Sequence, residues 1–268
     1  MLFESNHGAR RATALAALCG FVVIIATIAC ASQVLAEGFR IQTKIFVGEE
    51  LEPVCKTTTL FQDGAVYDFL EKPEQTAVFR KPTGNKPARF ILLNDQQQVQ
   101  TEVSTEKLTT AMKNLRTWAA QQNDPFLQFA ASPRFDETYD RETGKLVLTS
   151  SLQTYTVETN QTQHQDSLGS YREFLDWYTQ LNTLLSTPIP PDPRLKLNEV
   201  LARHKAIPTK VELKRDGEDP VRAEHDFTWR LSQKDLERID DVHNALTKYK
   251  TVENAEFLQL GQPINAAK

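Results

Sequence analysis

The residues best equipped for chemistry in this chain are Glu224, His225 and Asp226, an imidazole flanked by two carboxylates. Such a set suits general acid–base work, in which a carboxylate orients the ring that moves the proton. The surrounding pattern argues against it. Val221, Ala223, His225, Phe227, Trp229 and Leu231 alternate with Arg222, Glu224, Asp226, Thr228 and Arg230, as in a strand with one dry and one wet face. Adjacent strand residues point to opposite faces, so His225 sides with Phe227 and Trp229 and not with its acidic neighbours. No residue is assigned a catalytic role, and the chain is read as a non-enzyme.

Metal chemistry finds no better footing. His164, His204, His225 and His243 are scattered, without a His-x-x-x-His or Cys-x-x-Cys pair. Asp240 and His243 sit one helical turn apart, a spacing common by chance. Asp63-Gly64 and Asp216-Gly217 are turns without the regularly spaced oxygen ligands of a calcium loop. There is no Gly-x-Ser-x-Gly elbow, phosphate loop or dinucleotide fingerprint. No metal and no cofactor is expected. Tyr171, Trp177 and Tyr178 fall at helical spacing, which reads as core more readily than as an aromatic binding strip.

Composition narrows the function classes. The 268 residues carry 31 Lys and Arg against 35 Asp and Glu, a net charge of −4. A nucleic-acid binder working through bulk charge would be basic, so nucleic acid is not an expected partner. With 40% hydrophobic residues and only 10 Gly and 13 Pro, a packed globular chain is expected and not a disordered one.

The first 36 residues read as a secretory signal peptide. Arg10 and Arg11 precede an uncharged run from Ala12 to Ala36 with an apolar heart from Ala14 through Ile25. Val34-Leu35-Ala36 is the preferred exit, with cleavage after Ala36, and Ala29-Cys30-Ala31 is a second. Three alternatives stay open: a retained membrane anchor, since the run is long enough to cross a bilayer; lipidation at Cys30 after Thr27-Ile28-Ala29; and a twin-arginine signal. Removing the leader, with its two arginines and one glutamate, leaves 232 residues at net charge −5. Two of the three cysteines go with it, so Cys55 is left alone and the exported domain depends on its core.

The elements that position these residues follow from periodicity. Phe39, Ile41, Thr43, Ile45 and Val47 alternate with polar residues, and strands over 54–61, 65–70, 76–80, 89–93 and 98–103 are separated by turn residues. No helix is available for parallel crossovers, so the six form an antiparallel meander. Ser104 caps a helix carrying Leu108, Met112, Leu115 and Ala119. A short helical turn over 125–130, a strand over 135–139 and a long strand over 145–157, bulged near Gln153, come next. Leu168 to Leu185 and Arg194 to Lys205 are helical. A hairpin through Asp216-Gly217 and a last helix, capped by Ser232 and Asp235, close the domain. The fold class is α+β: a curved antiparallel sheet, open and half-barrel-like, with amphipathic helices on one face. Residues 37–250 form a single domain, followed by a weakly ordered tail over 251–268.

Two resemblances add to this. The segments Phe39-Arg40-Ile41-Gln42-Thr43-Lys44-Ile45-Phe46-Val47-Gly48, Tyr171-Arg172-Glu173-Phe174-Leu175-Asp176-Trp177-Tyr178 and Phe227-Thr228-Trp229-Arg230-Leu231-Ser232 resemble an uncharacterised family of secreted planctomycete proteins. That resemblance covers nearly all of the exported chain and implies a bacterial exported protein of unassigned activity. The element order, with Ile207-Pro208-Thr209-Lys210-Val211-Glu212-Leu213 entering the final hairpin, is similar to the periplasmic lipoprotein-carrier (LolA-like) fold. There an open half-barrel wraps helices and shelters acyl chains; no residue role is carried over.

The reading that results is a periplasmic or extracellular binding or carrier module for a hydrophobic, lipid-like ligand. Ile41, Ile45, His225, Phe227 and Trp229 would line its cavity. A lipid or lipoprotein is the partner implied, with the membrane touched only through an uncleaved or lipidated leader. The alternative is an extracytoplasmic structural or interaction protein. A hydrolase using His225 would need a carboxylate and a nucleophile converging on that ring.

Overall fold

A computed structural model describes residues 38–71, 74–186 and 189–260. The expected signal peptide, with Cys30 and the exit at Ala36, lies outside the described residues.

The described residues open with the expected meander: β1 (Phe39–Val47), β2 (Cys55–Gln62), β3 (Ala65–Glu71), β4 (Glu74–Arg80), β5 (Arg89–Asn94) and β6 (Val99–Ser104). Each strand pairs antiparallel with the next. Ser104 then turns the chain into α1 (Thr105–Ala120), its side chain accepting from the Lys107 N–H. Asp124 caps α2 (Pro125–Ala131) through two N–H bonds. After β7 (Asp136–Asp140), β8 (Lys145–Thr149) and β9 (Gln153–Gln161) come the antiparallel helices α3 (Gln165–Leu185) and α4 (Asp192–Arg203). β10 (Ala206–Arg215), β11 (Val221–Thr228), α5 (Gln233–Lys248), β12 (Lys250–Thr251) and α6 (Asn254–Leu260) complete the order.

All twelve strands join one sheet in the order β12-β6-β5-β4-β3-β2-β1-β11-β10-β9-β8-β7. Among the described residues only β12 pairs in parallel, and the sheet does not close into a barrel. The α+β class with a curved, mostly antiparallel sheet therefore holds. β1 and β11, far apart in sequence, join the meander to the second half of the sheet; Ile41 lies opposite Phe227 and Thr43 opposite His225.

Register carries one face across the whole sheet. Phe39 and Ile41 meet Phe61 and Thr59 on β2, and these meet Val66 and Asp68 on β3. On the other side Ala223 meets Val211, which meets Val157, which meets Leu146. Tyr171, Phe174 and Leu181 of α3 pack on the meander half of this inner face. Leu197, Val200 and Leu201 of α4 pack on the β8–β10 half. The outer face of β2–β5 has its own cover: Leu60, Tyr67, Val78 and Ile91 lie under Ile239 and Val242 of α5.

Several local expectations change. Residues 145–157 are not one bulged strand. Ser150 bends them into the β8–β9 hairpin, its hydroxyl accepting from the Leu152 and Gln153 N–H groups and donating to the Gln153 carbonyl. That hairpin, and not a bulge, brings Leu146, Leu148, Tyr155 and Val157 to one face. The register shift lies in β10, between Pro208 and Lys210. Leu231 leaves the face it was expected to share with Phe227 and joins the α5 side, because β11 ends at Thr228. The tail expected to be weakly ordered from 251 is instead docked over 251–260. β12 pairs with β6, Val252 donates to the Gln100 carbonyl, and Phe257 is buried.

Candidate functional site

Of the five residues expected to line a cavity, Ile41, Ile45, His225 and Phe227 fall on one face in adjoining rows of the sheet, and Trp229 lies just past the end of β11 against the same core. Ile41 is buried in the core under α3. Phe227 meets the Tyr171 ring edge-on at 5.5 Å. Trp229 lies 5.2 Å from Phe39 and stacks on His164, the residue that precedes α3, at 4.2 Å. These three hold α3 in the concavity. Ile45 and His225 lie in the rows beside this contact and are half-buried. With Thr43, Cys55, Thr57 and Ala223, all half-buried, they form a half-open strip of inner face.

This strip is apolar along Ile45, Cys55 and Ala223 and polar along Thr43, Thr57 and His225. Thr43 Oγ1 and His225 Nδ1 are 2.9 Å apart. His225 Nε2 is buried without a hydrogen-bond partner among the described residues. Burial, reinforced by the positive charge of Arg194, lowers the His225 pKa from its ordinary value to about 3. Desolvation disfavours the imidazolium, and a nearby cation disfavours it further.

The strand alternation read from the sequence is observed. Glu224 turns to the opposite face and pairs with Arg222 at 3.2 Å, and Asp226 is exposed. Among the described residues no side-chain carboxylate hydrogen-bonds to His225. Asp240 and His243 form no metal cluster; His243 Nε2 lies 2.8 Å from the Tyr67 hydroxyl. Among the described residues no three His, Cys, Asp or Glu side chains gather as a metal site.

Beside the strip, toward β3, lies a buried network. Asp68 is 3% exposed and accepts from Thr59 at 2.6 Å and from the Tyr178 hydroxyl at 2.5 Å. Burial raises the pKa of Asp68 despite both donors. Burial also raises the Cys55 thiol pKa, and the charges of Asp68 and Glu71 add to that effect. Cys55 is accordingly a poor nucleophile at neutral pH.

Several concavities flank α3: one of about 280 Å³ is lined by Phe39, Phe61, His164 and Trp229, and two more lie toward α4. The larger, about 900 Å³, opens widely between α2, α3 and α4 and carries both signs of charge on Arg172, Glu173, Asp176, Lys196 and Glu199. The smaller, about 260 Å³, is an apolar groove between α3 and α4 floored by Leu168, Tyr171, Leu175, Leu201 and Ala206. Its volume approaches the ~300 Å³ at which small-molecule sites begin. The smaller groove matters more for an apolar ligand, because the larger one has mostly water to offer. Tyr171 joins the groove to the inner face, lining the one and packing on Phe227 of the other.

No family model and no curated protein matches the chain. Among the described residues, no helix is long and apolar enough to cross a membrane.

Thr43, Thr57 and Asp68 are not singled out as site residues by the sequence, whereas Cys55 is the half-buried strand residue that its pattern suggests. Thr43 was within reach, since it alternates with Ile41 and Ile45. Asp68 was not, because its partners Thr59 and Tyr178 come from a strand and a distant helix.

Proposed function

We propose that the protein is an exported binding or carrier module for an apolar, lipid-like ligand, held on the concave face of the sheet between α3 and α4. One observation carries the reading: the inner face is not fully sealed beyond Ile41 and Phe227. Ile45, Cys55 and Ala223 continue that face and are only half-buried. Burying each methylene of an acyl chain there would contribute about 0.8 kcal/mol. The α3–α4 groove supplies further apolar wall. Leu51, 91% exposed, and Val54, 56% exposed, sit in the β1–β2 turn just beyond Ile45 and Cys55 and extend the apolar surface outward. The open half-barrel order of elements and the signal-peptide reading both favour a periplasmic or extracellular carrier. The low pKa of His225 weighs against a hydrolase, since so weak a base accepts a proton poorly at neutral pH.

Cys55 provides the test. Peptide-resolved alkylation by iodoacetamide, with and without cis-parinaryl alcohol, reads the accessibility of its thiol. The ligand is expected to slow alkylation at least fivefold. An unchanged rate at saturating ligand would overturn the placement on this face.

A further inference from the structure

Asn198 carries an unanswered acceptor at the wall of the α3–α4 groove. It lies in the middle of α4 and is 2% exposed. Its Nδ2 donates to Asp176 Oδ1 of α3 at 3.0 Å. An ionised carboxylate only accepts, and Arg172 Nε lies 3.6 Å from the other oxygen of Asp176. The nitrogen is therefore the end of the amide that must face Asp176. Oδ1 is turned away from that contact, and it is buried without a hydrogen-bond partner among the described residues. Asn198 lines the groove of about 260 Å³, whereas Asp176 lines the wide concavity and not the groove. The amide thus stands between the two, with its donor end toward Asp176 and its acceptor end on the groove side.

The remaining walls of the groove define what that acceptor would meet. Leu168, Leu175, Leu201 and Ala206 are apolar, and the two charged members, Arg172 and Lys205, are exposed. A buried carbonyl oxygen without a donor is unfavourable, and apolar surface left wet is unfavourable too. A molecule that brings one donor at the end of an apolar body relieves both. A hydroxyl is such a donor. An ether brings no proton, and a carboxylate brings none and would set a second negative charge beside Asp176.

We infer that the α3–α4 groove takes the hydroxyl end of a long-chain alcohol, the O–H donating to Asn198 Oδ1 and the adjoining carbons lying on Leu168, Leu175 and Leu201. This rests on the carrier reading and deepens it by naming the end group of the ligand.

The test is a fluorescence titration of wild type and Asn198→Leu with cis-parinaryl alcohol and with its methyl ether, the variant checked for an unchanged cooperative thermal transition. Wild type is expected to bind the alcohol at least fivefold more tightly than the ether. Asn198→Leu should remove that preference and leave ether affinity within twofold. Equal binding of alcohol and ether by wild type, or a preference that survives in Asn198→Leu, overturns the hydroxyl site and leaves the carrier reading standing. Failure of wild type to bind either ligand overturns both. Should Asn198→Leu fail to fold, Gly169→Leu serves in its place. Gly169 of α3 lines the same groove, and a Cβ there meets no atom within 4 Å, so the fold accommodates a side chain that narrows the groove. Gly169→Leu must weaken the alcohol at least threefold, and unaltered affinity refutes the site.

Discussion

The Tyr178 hydroxyl of α3 donates a 2.5 Å hydrogen bond to Oδ2 of Asp68 in β3, and this contact fixes the helix over the sheet's concave face. Asp68 is buried, and Thr59 serves its other oxygen. The three groups form one polar anchor within an otherwise aromatic contact in which Phe174 meets Phe61, Phe79 and Phe90. Apolar packing sets how strongly α3 binds; the anchor sets where it binds. The depth of the helix, in turn, sets how much of the strip around Ile45 stays open.

Tyr178→Phe removes one donor from a buried carboxyl. Urea unfolding should show a loss of about 1–3 kcal/mol, the cost of leaving a buried acceptor unsatisfied. A change below about 0.5 kcal/mol would show that the anchor adds nothing to packing.

Phe174→Ala tests the packing itself. Phe174 is 2% exposed and touches aromatic rings from three strands. The cavity left behind should cost about 3–5 kcal/mol. A smaller loss, about 1 kcal/mol, would mean that α3 settles into the space and that the concave face is softer than its packing suggests.

Titration of His225 gives stability a direction with pH. In the folded protein its pKa is lowered to about 3, from an ordinary value of 6.5. Between those two values the unfolded chain holds a proton that the folded chain does not, so stability falls as pH drops from 6.5 toward 3. Above 6.5 the group has no effect. His225→Gln should flatten this part of the profile, measured as the urea midpoint at pH 7.5 and pH 5. The raised pKa of Asp68 acts in the opposite sense on acidification, so variant and wild type are compared at each pH. Parallel profiles would show that His225 is freely hydrated.

Much of this architecture is legible in the sequence, and the exceptions have physical causes. Two-residue alternation in Phe39–Val47 and Val221–Thr228 marks both strands and their dry faces, because one face of each is buried. Ser232 and Asp235 mark the start of α5, where Ser232 accepts from the Asp235 N–H and Asp235 accepts from the Ser232 N–H. The 145–157 stretch misleads because its turn, at Ser150, carries no Gly or Pro; a serine side chain replaces the usual turn chemistry. Docking of residues 250–260 is not readable from a segment only two residues long in β12, since its hydrogen bonds go to a strand about 150 residues away. At the site, Ile45 and His225 are readable as inner-face residues. That Ile41, Phe227 and Trp229 serve the α3 contact depends on the depth of Tyr171, which periodicity does not encode.

The α5 cap provides a local check. Ser232→Ala removes the hydroxyl that accepts from the Asp235 N–H, leaving the Ser232 N–H bond to Asp235 in place, and should lower stability by about 1 kcal/mol in the urea assay. Binding of parinaryl alcohol should not change, because α5 lies on the opposite face of the sheet. Weakened binding would place the ligand on the outer face instead.

The most direct test of a lipid-binding concave face is a fluorescence titration of folded wild type and Ala223→Phe with cis-parinaryl alcohol. Ala223 lies between Val211 and Ile45 on the half-open strip, so a phenyl ring there fills the space assigned to the chain. The account predicts saturable one-to-one binding by wild type and at least a tenfold loss in Ala223→Phe. No saturable binding by wild type, or full affinity in Ala223→Phe, would contradict it.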